Sequence, residues 1–440
     1  MKAKVPSTHF AERIYIIQTM FRDFLGLEID ISADDSVSDY VIEVSGGKKL
    51  ILKDHFFSCH TDYLKEEYIP REISYLHVPL FSDEDLIVLF GENKLEVSEN
   101  EMICGADIFA SSFFMLTRWE EHVINEKDAH YRFPAQKSLA CKKNFLLRPV
   151  VNEYVEFLWN MLVYLGCGQK RKERQYKLLP THDVDILYRW KNPYSLIRAV
   201  GKELLINRKI KSAVCQIKNY ISVKKGKEKD PMDTFDFLMD CAENSSSKAC
   251  FFFLSGGNTA YERNYNILSS KIGRVMHRIH ERGHGMGLHP SYNSFNNRNM
   301  LLYEKQILER ITLKKIVCSR QHYLRFDIPR TWRQLDEIGM EIDSTMIYSD
   351  VPGFRCGVCY EFPVFDIEER KPLNLIEYPL IWMDRQVLGK GDEQIIEELT
   401  LLKNRVKKYN GRFVFLWHNS NINTDEWSGK KEVLGKYLYE

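Results

Sequence analysis

The chain has 440 residues, 44% apolar and 28% charged, with 62 Lys and Arg against 61 Asp and Glu and a formal net charge of +1. That length exceeds one ordinary core, and the apolar fraction excludes long disordered stretches. The balanced charge gives no global drive toward nucleic acid or anionic lipid, and no run of about 20 apolar residues is available to span a membrane.

Ten cysteines are scattered, mostly within apolar runs. The N-terminus, MKAKVPSTHFAERIYIIQTMF, lacks an apolar core followed by a small-residue cleavage site. Both features read as a cytoplasmic chain with buried free thiols.

Residues 1 to about 170 read as one α+β unit. Apolar stretches at 41–44 and 49–52, split by Gly46-Gly47, predict a hairpin, and 86–90 predicts another strand. Phe109, Phe113, Leu116 and Trp119 fall at helical spacing and predict a helix over 108–123. A second helix spans 150–165 and is stopped by Gly166-Cys167-Gly168. The charged stretch 169–175 reads as a linker to a second unit, 176–440.

In that second unit strands alternate with helices. Strand 177–181 is followed by a long polar and basic excursion that includes Lys224-Lys225-Gly226-Lys227, read as a solvated helix and loop face rather than a polyanion site. Helix 235–241, strand 250–254 and helix 269–282 come next, the last with Ile272, Val275, Met276 and Ile279 on one face and Gly283 as its stop. Strand 286–289, helix 301–315, a strand from 316, helix 331–338, strand 340–343, strand 375–380, helix 393–409 and strand 412–416 complete the order. Such alternation predicts a parallel sheet or barrel.

Polar clusters sit at the ends of these strands, and a parallel barrel gathers strand ends at one mouth. In Thr181-His182-Asp183-Val184-Asp185 the two aspartates are two apart, so a strand puts both on one face. Two such carboxylates repel unless a cation or a shared proton separates them. One can bind a metal while the other takes a proton from the metal's water. His289 ends the strand after Gly283-His284-Gly285-Met286-Gly287. Beside an acid pair it reads as a metal ligand, whereas His284 reads as a brace for the turn.

Arg320 follows the strand at 316 and can orient one of the acids. His322 is open between ligand, substrate contact and structural residue. Asp343 ends the next strand as a partner for an arginine or a histidine. Arg355 lies in a loop and is open between substrate contact and surface. His418 follows Leu416-Trp417 and is open between a surface residue and one that gives a proton to a leaving group. Cys356-Gly-Val-Cys359 has no second C-x-x-C to complete a zinc site and reads as structural rather than redox.

Together these residues resemble the NodB-homology polysaccharide deacetylases, carbohydrate esterase family four, over about residues 176–420. The segment from Thr181 to Asp185 resembles the Asp-x-Asp form of the first motif, which implies Asp183 as catalytic base and Asp185 as metal ligand. Gly283-His-Gly-Met-Gly287 is similar to the lead of the His-x-x-x-His motif, with His289 as its first histidine. Asn293 stands where the second histidine belongs. An amide oxygen is a weaker zinc ligand, so the ion is expected to bind less tightly, to be a harder ion, or to recruit His322. Arg320-Gln-His322 resembles the third motif without its proline. Asp343 corresponds to the aspartate that positions the arginine. Leu416-Trp417-His418 resembles the Leu-x-His motif, whose histidine is the general acid.

The resemblance implies a deformed parallel (β/α) barrel preceded by a smaller α+β domain. It implies one divalent ion, zinc first, on Asp185, His289 and Asn293. The implied reaction is hydrolysis of an acetamide or similar carbon–nitrogen bond on a sugar, with Tyr292, His322, Arg355 and Trp417 against the carbohydrate. Residues 114–121 and 131–134 resemble a domain found ahead of such deacetylases in bacterial chains. A cytoplasmic chain with this chemistry points to a nucleotide-linked or lipid-linked sugar. An amidase acting on a small non-sugar molecule and a non-catalytic carbohydrate-binding relative are the alternatives.

Overall fold

The apolar runs assemble into two main sheets in a computed structural model that describes residues 1–262, 265–424, 427 and 429–440. The first sheet runs in the order Asp30–Ala33, Lys2–Val5, Tyr40–Glu43, Lys49–Leu52, Glu101–Ala106, Gly91–Val97. Tyr40–Glu43 and Lys49–Leu52 pair antiparallel, as their hairpin signal predicts. Gly46 and Gly47 turn the chain at φ 59° and 80°, a conformation that costs glycine little.

The helix expected over 108–123 is two pieces, Ile108–Thr117 and Trp119–Val123. Arg118 breaks it at φ 52°. The break turns the buried guanidinium back onto Glu120 and Glu121, where Nε donates to Glu121 Oε1 at 2.9 Å, and lets Nη2 reach the Tyr348 hydroxyl at 3.1 Å. The single helix is given up so that this buried cation keeps its partners.

The second sheet runs Phe362–Asp366, Lys371–Glu377, Ile342–Asp343, Cys318–Ser319, Gly285–Leu288, Cys250–Phe253, Lys177–Val184, Arg412–Leu416, Leu380–Met383. Its pairings are parallel except Phe362–Asp366 with Lys371–Glu377. Strands covered on both faces carry near-continuous apolar runs, as Cys250–Phe253 and Arg412–Leu416 do. Among the described residues no ladder joins the two edge strands, so the sheet is a curled half-barrel, not a closed barrel. The strand expected at 375–380 is the meeting of two strands on opposite sides of the sheet, Lys371–Glu377 and Leu380–Met383.

Helices Phe235–Asn244, Ser270–Glu281, Arg298–Thr312, Arg330–Glu337 and Asp392–Lys408 occupy the expected crossovers. Ile272, Val275, Met276 and Ile279 form the buried stripe of Ser270–Glu281. Gly287 lies where a Cβ would stand 2.5 Å from the Phe252 ring and 2.8 Å from Cys318 Sγ, so neighbouring strands close beneath the site only because this position is bare.

The N-terminal stretch shares one hydrophobic core with the second sheet. Tyr15 Oη donates to Pro363 O at 2.8 Å, the Val151 N–H to Gly357 O at 2.8 Å, and the Cys359 N–H to Asn152 Oδ1 at 2.9 Å. The stretch read as a linker is pinned. The Arg174 guanidinium sits 3.9 Å over the Tyr360 ring and pairs with Glu361. Cys356 and Cys359 are buried free thiols whose pKa values burial pushes up, an environment that suppresses thiolate chemistry.

Candidate active site

Three side chains from three strand ends converge. Asp185 follows the Lys177–Val184 strand, His289 follows Gly285–Leu288, and His322 follows Cys318–Ser319. One ligand atom from each lies within 4.8 Å of the others. His289 Nε2 is 3.4 Å and His322 Nδ1 3.6 Å from Asp185 Oδ1, and the two ring nitrogens are 3.0 Å apart.

The remaining nitrogens fix the tautomers. His289 Nδ1 donates to Arg320 O at 2.6 Å, and His322 Nε2 faces Tyr261 O at 3.4 Å. With the protons on these outer nitrogens, each ring would turn a lone pair toward the same point, the arrangement that outer hydrogen bonds impose on metal-binding histidines. Asp185 Oδ1 is buried and has no hydrogen-bond partner. An orphaned carboxylate oxygen opposite two imidazole lone pairs fits a divalent cation.

Asp183 faces the same mouth from two residues earlier. Its Oδ1 pairs with Arg320 Nη1 at 3.2 Å, and its Oδ2 lies 3.7 Å from His289 Nε2. Arg320 is buried and held on three sides, Nε on Ser344 O at 2.7 Å, Nη2 on Ser344 Oγ at 2.9 Å and Nη1 on Thr181 Oγ1 at 2.6 Å. His182, just before Asp183, points the other way and donates its Nδ1 proton to Trp417 O at 2.7 Å, with burial pushing its pKa down to about 3.

His418 stands opposite, with Nε2 3.9 Å from Asp185 Oδ2 and Nδ1 2.8 Å from Asp384 Oδ1. Asp384 Oδ2 also accepts the His418 N–H at 2.9 Å. Burial pulls the His418 pKa down, but Asp384, Asp185 and Asp183 outweigh it and raise it to about 9. The ring is held protonated near neutral pH, a proton donor at the mouth. Asp384 ends the Leu380–Met383 strand and was not singled out in the sequence, although a carboxylate at a strand's end is the same signal that marks Asp185.

Several expectations from the sequence need correction. Asn293 is exposed, and its Oδ1 accepts from Arg325 Nη1 at 3.3 Å, while His322 stands against Asp185 and His289. Arg355 is buried away from the mouth, with Nε donating to Glu121 Oε1 at 2.8 Å and Nη1 to Ile347 O at 2.7 Å. A buried guanidinium needs such a carboxylate, and the loop supplies none nearer. Trp417 is fully buried, its indole N–H on Asn421 O. Tyr292 is buried, hydrogen-bonded to His130 Nδ1 at 3.0 Å and covered by the Arg325 guanidinium at 3.9 Å.

Asp343 does not touch Arg320. It accepts from Ser319 Oγ at 2.8 Å and the Thr345 N–H at 3.1 Å, and so fixes the residue before Arg320 and the residue after its anchor Ser344. Burial raises both Asp343 and Glu377, with the Asp343 charge pushing Glu377 further up. His284 braces its turn, accepting from the Ala249 N–H at 2.9 Å.

The mouth opens into a cleft of about 920 Å³. Asp183, Asp185, His289, His322 and His418 form its floor. Tyr261, Tyr323 and His130 form one wall, and the sequence did not mark them. Arg189, Lys202, Lys209 and Arg385 stand around the remainder.

A family model described as a family of unknown function (DUF7033) matches residues 1–166. No curated protein matches the chain. Among solved structures, a protein from Mycobacterium smegmatis described as a polysaccharide deacetylase is 18% identical, aligned over 61% of this chain and 84% of its own, with a TM-score of 0.37. A second protein described in this way, from Pseudomonas aeruginosa, is 15% identical over 59% of this chain and 83% of its own, with a TM-score of 0.34. An allantoinase is 12% identical over 59% and 82%, with a TM-score of 0.33. The chain is similar, over about 60% of its length, to polysaccharide deacetylases of solved structure.

Proposed function

We propose that this chain is a divalent-metal-dependent hydrolase that removes the acetyl group from an acetamido sugar. The reading is carried by one observation: a buried, unpartnered Asp185 oxygen faces the free lone pairs of His289 and His322, with a second acid and a protonated histidine on either side. Asp185, His289 and His322 would hold the ion. Such an ion, zinc or another divalent metal, polarises an acyl oxygen and makes bound water acidic.

The chain's own groups then divide the proton work. Asp183 accepts the proton of the attacking water, and Arg320 keeps that carboxylate ionised and aimed. His418 gives its Nε2 proton to the departing amine, and Asp384 on Nδ1 stabilises the charged ring before the transfer. Tyr261 and Tyr323 offer apolar faces to a sugar ring beside the floor. Arg189, Lys202, Lys209 and Arg385 favour a sugar that carries phosphate, as a nucleotide-linked or lipid-linked precursor does, met in the cytoplasm. Residues 176–440 carry the chemistry, and the preceding unit lends His130 and Arg132 to the cleft.

Incubation of the zinc-supplemented protein with nucleotide-linked and free N-acetylhexosamines, followed by assay of released acetate and free amine, tests the reading. Acetate release that Asp183→Asn abolishes is the expected result. Turnover of cyclic amides with none of N-acetylated sugars overturns the sugar assignment. Sugar binding without turnover, unchanged in Asp183→Asn, overturns the hydrolase assignment.

A further inference from the structure

The basic excursion between the first strand and the helix Phe235–Asn244 folds as a helical hairpin. Its first arm is Pro193–Gly201 continuing into Lys202–Ile206, and its second is Ile210–Lys224. Trp190 roots the hairpin, with its indole N–H on Asn219 Oδ1 at 2.7 Å.

The second arm is amphipathic in the wrong sense for a core helix. Ile210, Val214, Ile217 and Ile221 recur at the spacing that makes one stripe, and all four are exposed. The side chains it buries are Ala213 and Gln216. The tip between the arms adds Leu205 and Ile206, 83% and 74% exposed, and the first arm adds Tyr194 and Ile197. A contiguous exposed apolar face of this kind marks an interaction surface.

Charge selects the partner. Between residues 193 and 227 the sequence carries nine Lys and Arg and one acid, Glu203, which is buried. A symmetric contact with a second copy would press these cations against their own equivalents. Nucleic acid would satisfy the cations and leave the aliphatic stripe in water. An anionic bilayer satisfies both, because aliphatic side chains enter the headgroup boundary while flanking lysines meet lipid charge.

We propose that the Pro193–Lys224 hairpin docks this protein on an anionic membrane surface. The hairpin is also a wall of the cleft, through Lys202, Glu203, Asn207, Lys209 and Ser212. Docking therefore brings one wall of the cleft to the bilayer. This surface goes beyond the proposed hydrolysis and does not depend on it.

Co-sedimentation of the full chain with vesicles tests the proposal. The protein is expected to pellet with vesicles of equal parts phosphatidylglycerol and phosphatidylcholine and to stay in solution with phosphatidylcholine alone. A triple variant, Leu205→Ser, Ile206→Ser and Ile217→Ser, changes exposed positions only and is expected to lose pelleting with an unchanged Tm. Lys211→Gln with Lys218→Gln is expected to weaken binding roughly fivefold per lysine.

A polarity-sensitive fluorophore on Cys215, one of two exposed cysteines among the described residues, gives a second readout in a Cys59→Ser background. Its emission should shift to the blue on anionic vesicles. Absence of pelleting, or pelleting untouched by the serine triple, overturns the proposal. So does a concentration-dependent dimer that the triple abolishes without any vesicle binding, or binding to an RNA oligonucleotide alone that the triple leaves unchanged.

Discussion

His289 Nε2 and His322 Nδ1 face each other across 3.0 Å, and neither nitrogen has its proton committed by the backbone. Two imidazole lone pairs held this close repel unless something positive lies between them. Asp185 Oδ1, buried without a partner 3.4 and 3.6 Å away, demands the same thing. A cation satisfies all three groups at once. His322 arrives on a neighbouring strand end to face Asp185, while Asn293 is exposed and meets Arg325.

The Asp384–His418 pair makes a kinetic prediction. Asp384→Asn removes the charge that stabilises the protonated ring and should lower kcat by about a hundredfold, with KM little changed. Steady-state kinetics on an N-acetylated sugar reads this. A variant with unchanged kcat would remove His418 as the acid.

Tyr261 is exposed on the cleft wall, while Trp417 is buried beneath it. Tyr261→Ala should raise KM about 2- to 10-fold, the worth of one aromatic contact. Trp417→Phe should leave KM unchanged and lower Tm. The opposite pattern would return Trp417 to the substrate.

Arg355 and Glu121 form a buried pair that ties the N-terminal stretch to the second sheet. Arg355→Met should cost about 3 kcal/mol in unfolding free energy, because it strands a buried carboxylate with Arg118 alone. KM should not move. A large KM change with normal stability would place Arg355 at the substrate instead.

The same pair predicts an acid limit. Burial would raise the Glu121 pKa, but Arg355 and Arg118 outweigh it and hold it at about 2. The unfolded value is roughly 4.3. The folded value is the lower, so the stabilisation is complete above roughly 4.3 and is lost as pH falls toward 2, roughly 3 kcal/mol in all. Urea unfolding across that window should show a shallower acid slope in Glu121→Gln. An identical slope would show that this carboxylate does not set the limit.

What the sequence made legible followed from periodicity. Cys250–Phe253, Ser270–Glu281 and Arg412–Leu416 stand close to where their apolar patterns put them. Asp183 and Asp185 share a face because extended residues two apart do so. The same alternation separates His418, on the cleft floor, from the adjacent Trp417, in the core.

The sequence left His322 open between ligand, substrate contact and structural residue because a tight turn aims it. Tyr323 and Leu324 take φ 59° and 56°, and no spacing rule reports where such a turn points the residue before it. Arg355 escaped because its partner is 234 residues away. Phe362–Asp366 escaped because Pro363 reads as a breaker, and it is an edge strand, where proline is tolerated.

The cation is the central claim, and metal content measures it directly. Purified wild-type protein, loaded with zinc and dialysed, should retain one equivalent by elemental analysis, while Asp185→Ala, His289→Ala and His322→Ala retain none and Asn293→Ala retains it all. Equal metal in all five proteins, or loss in Asn293→Ala with retention in His322→Ala, would contradict the account.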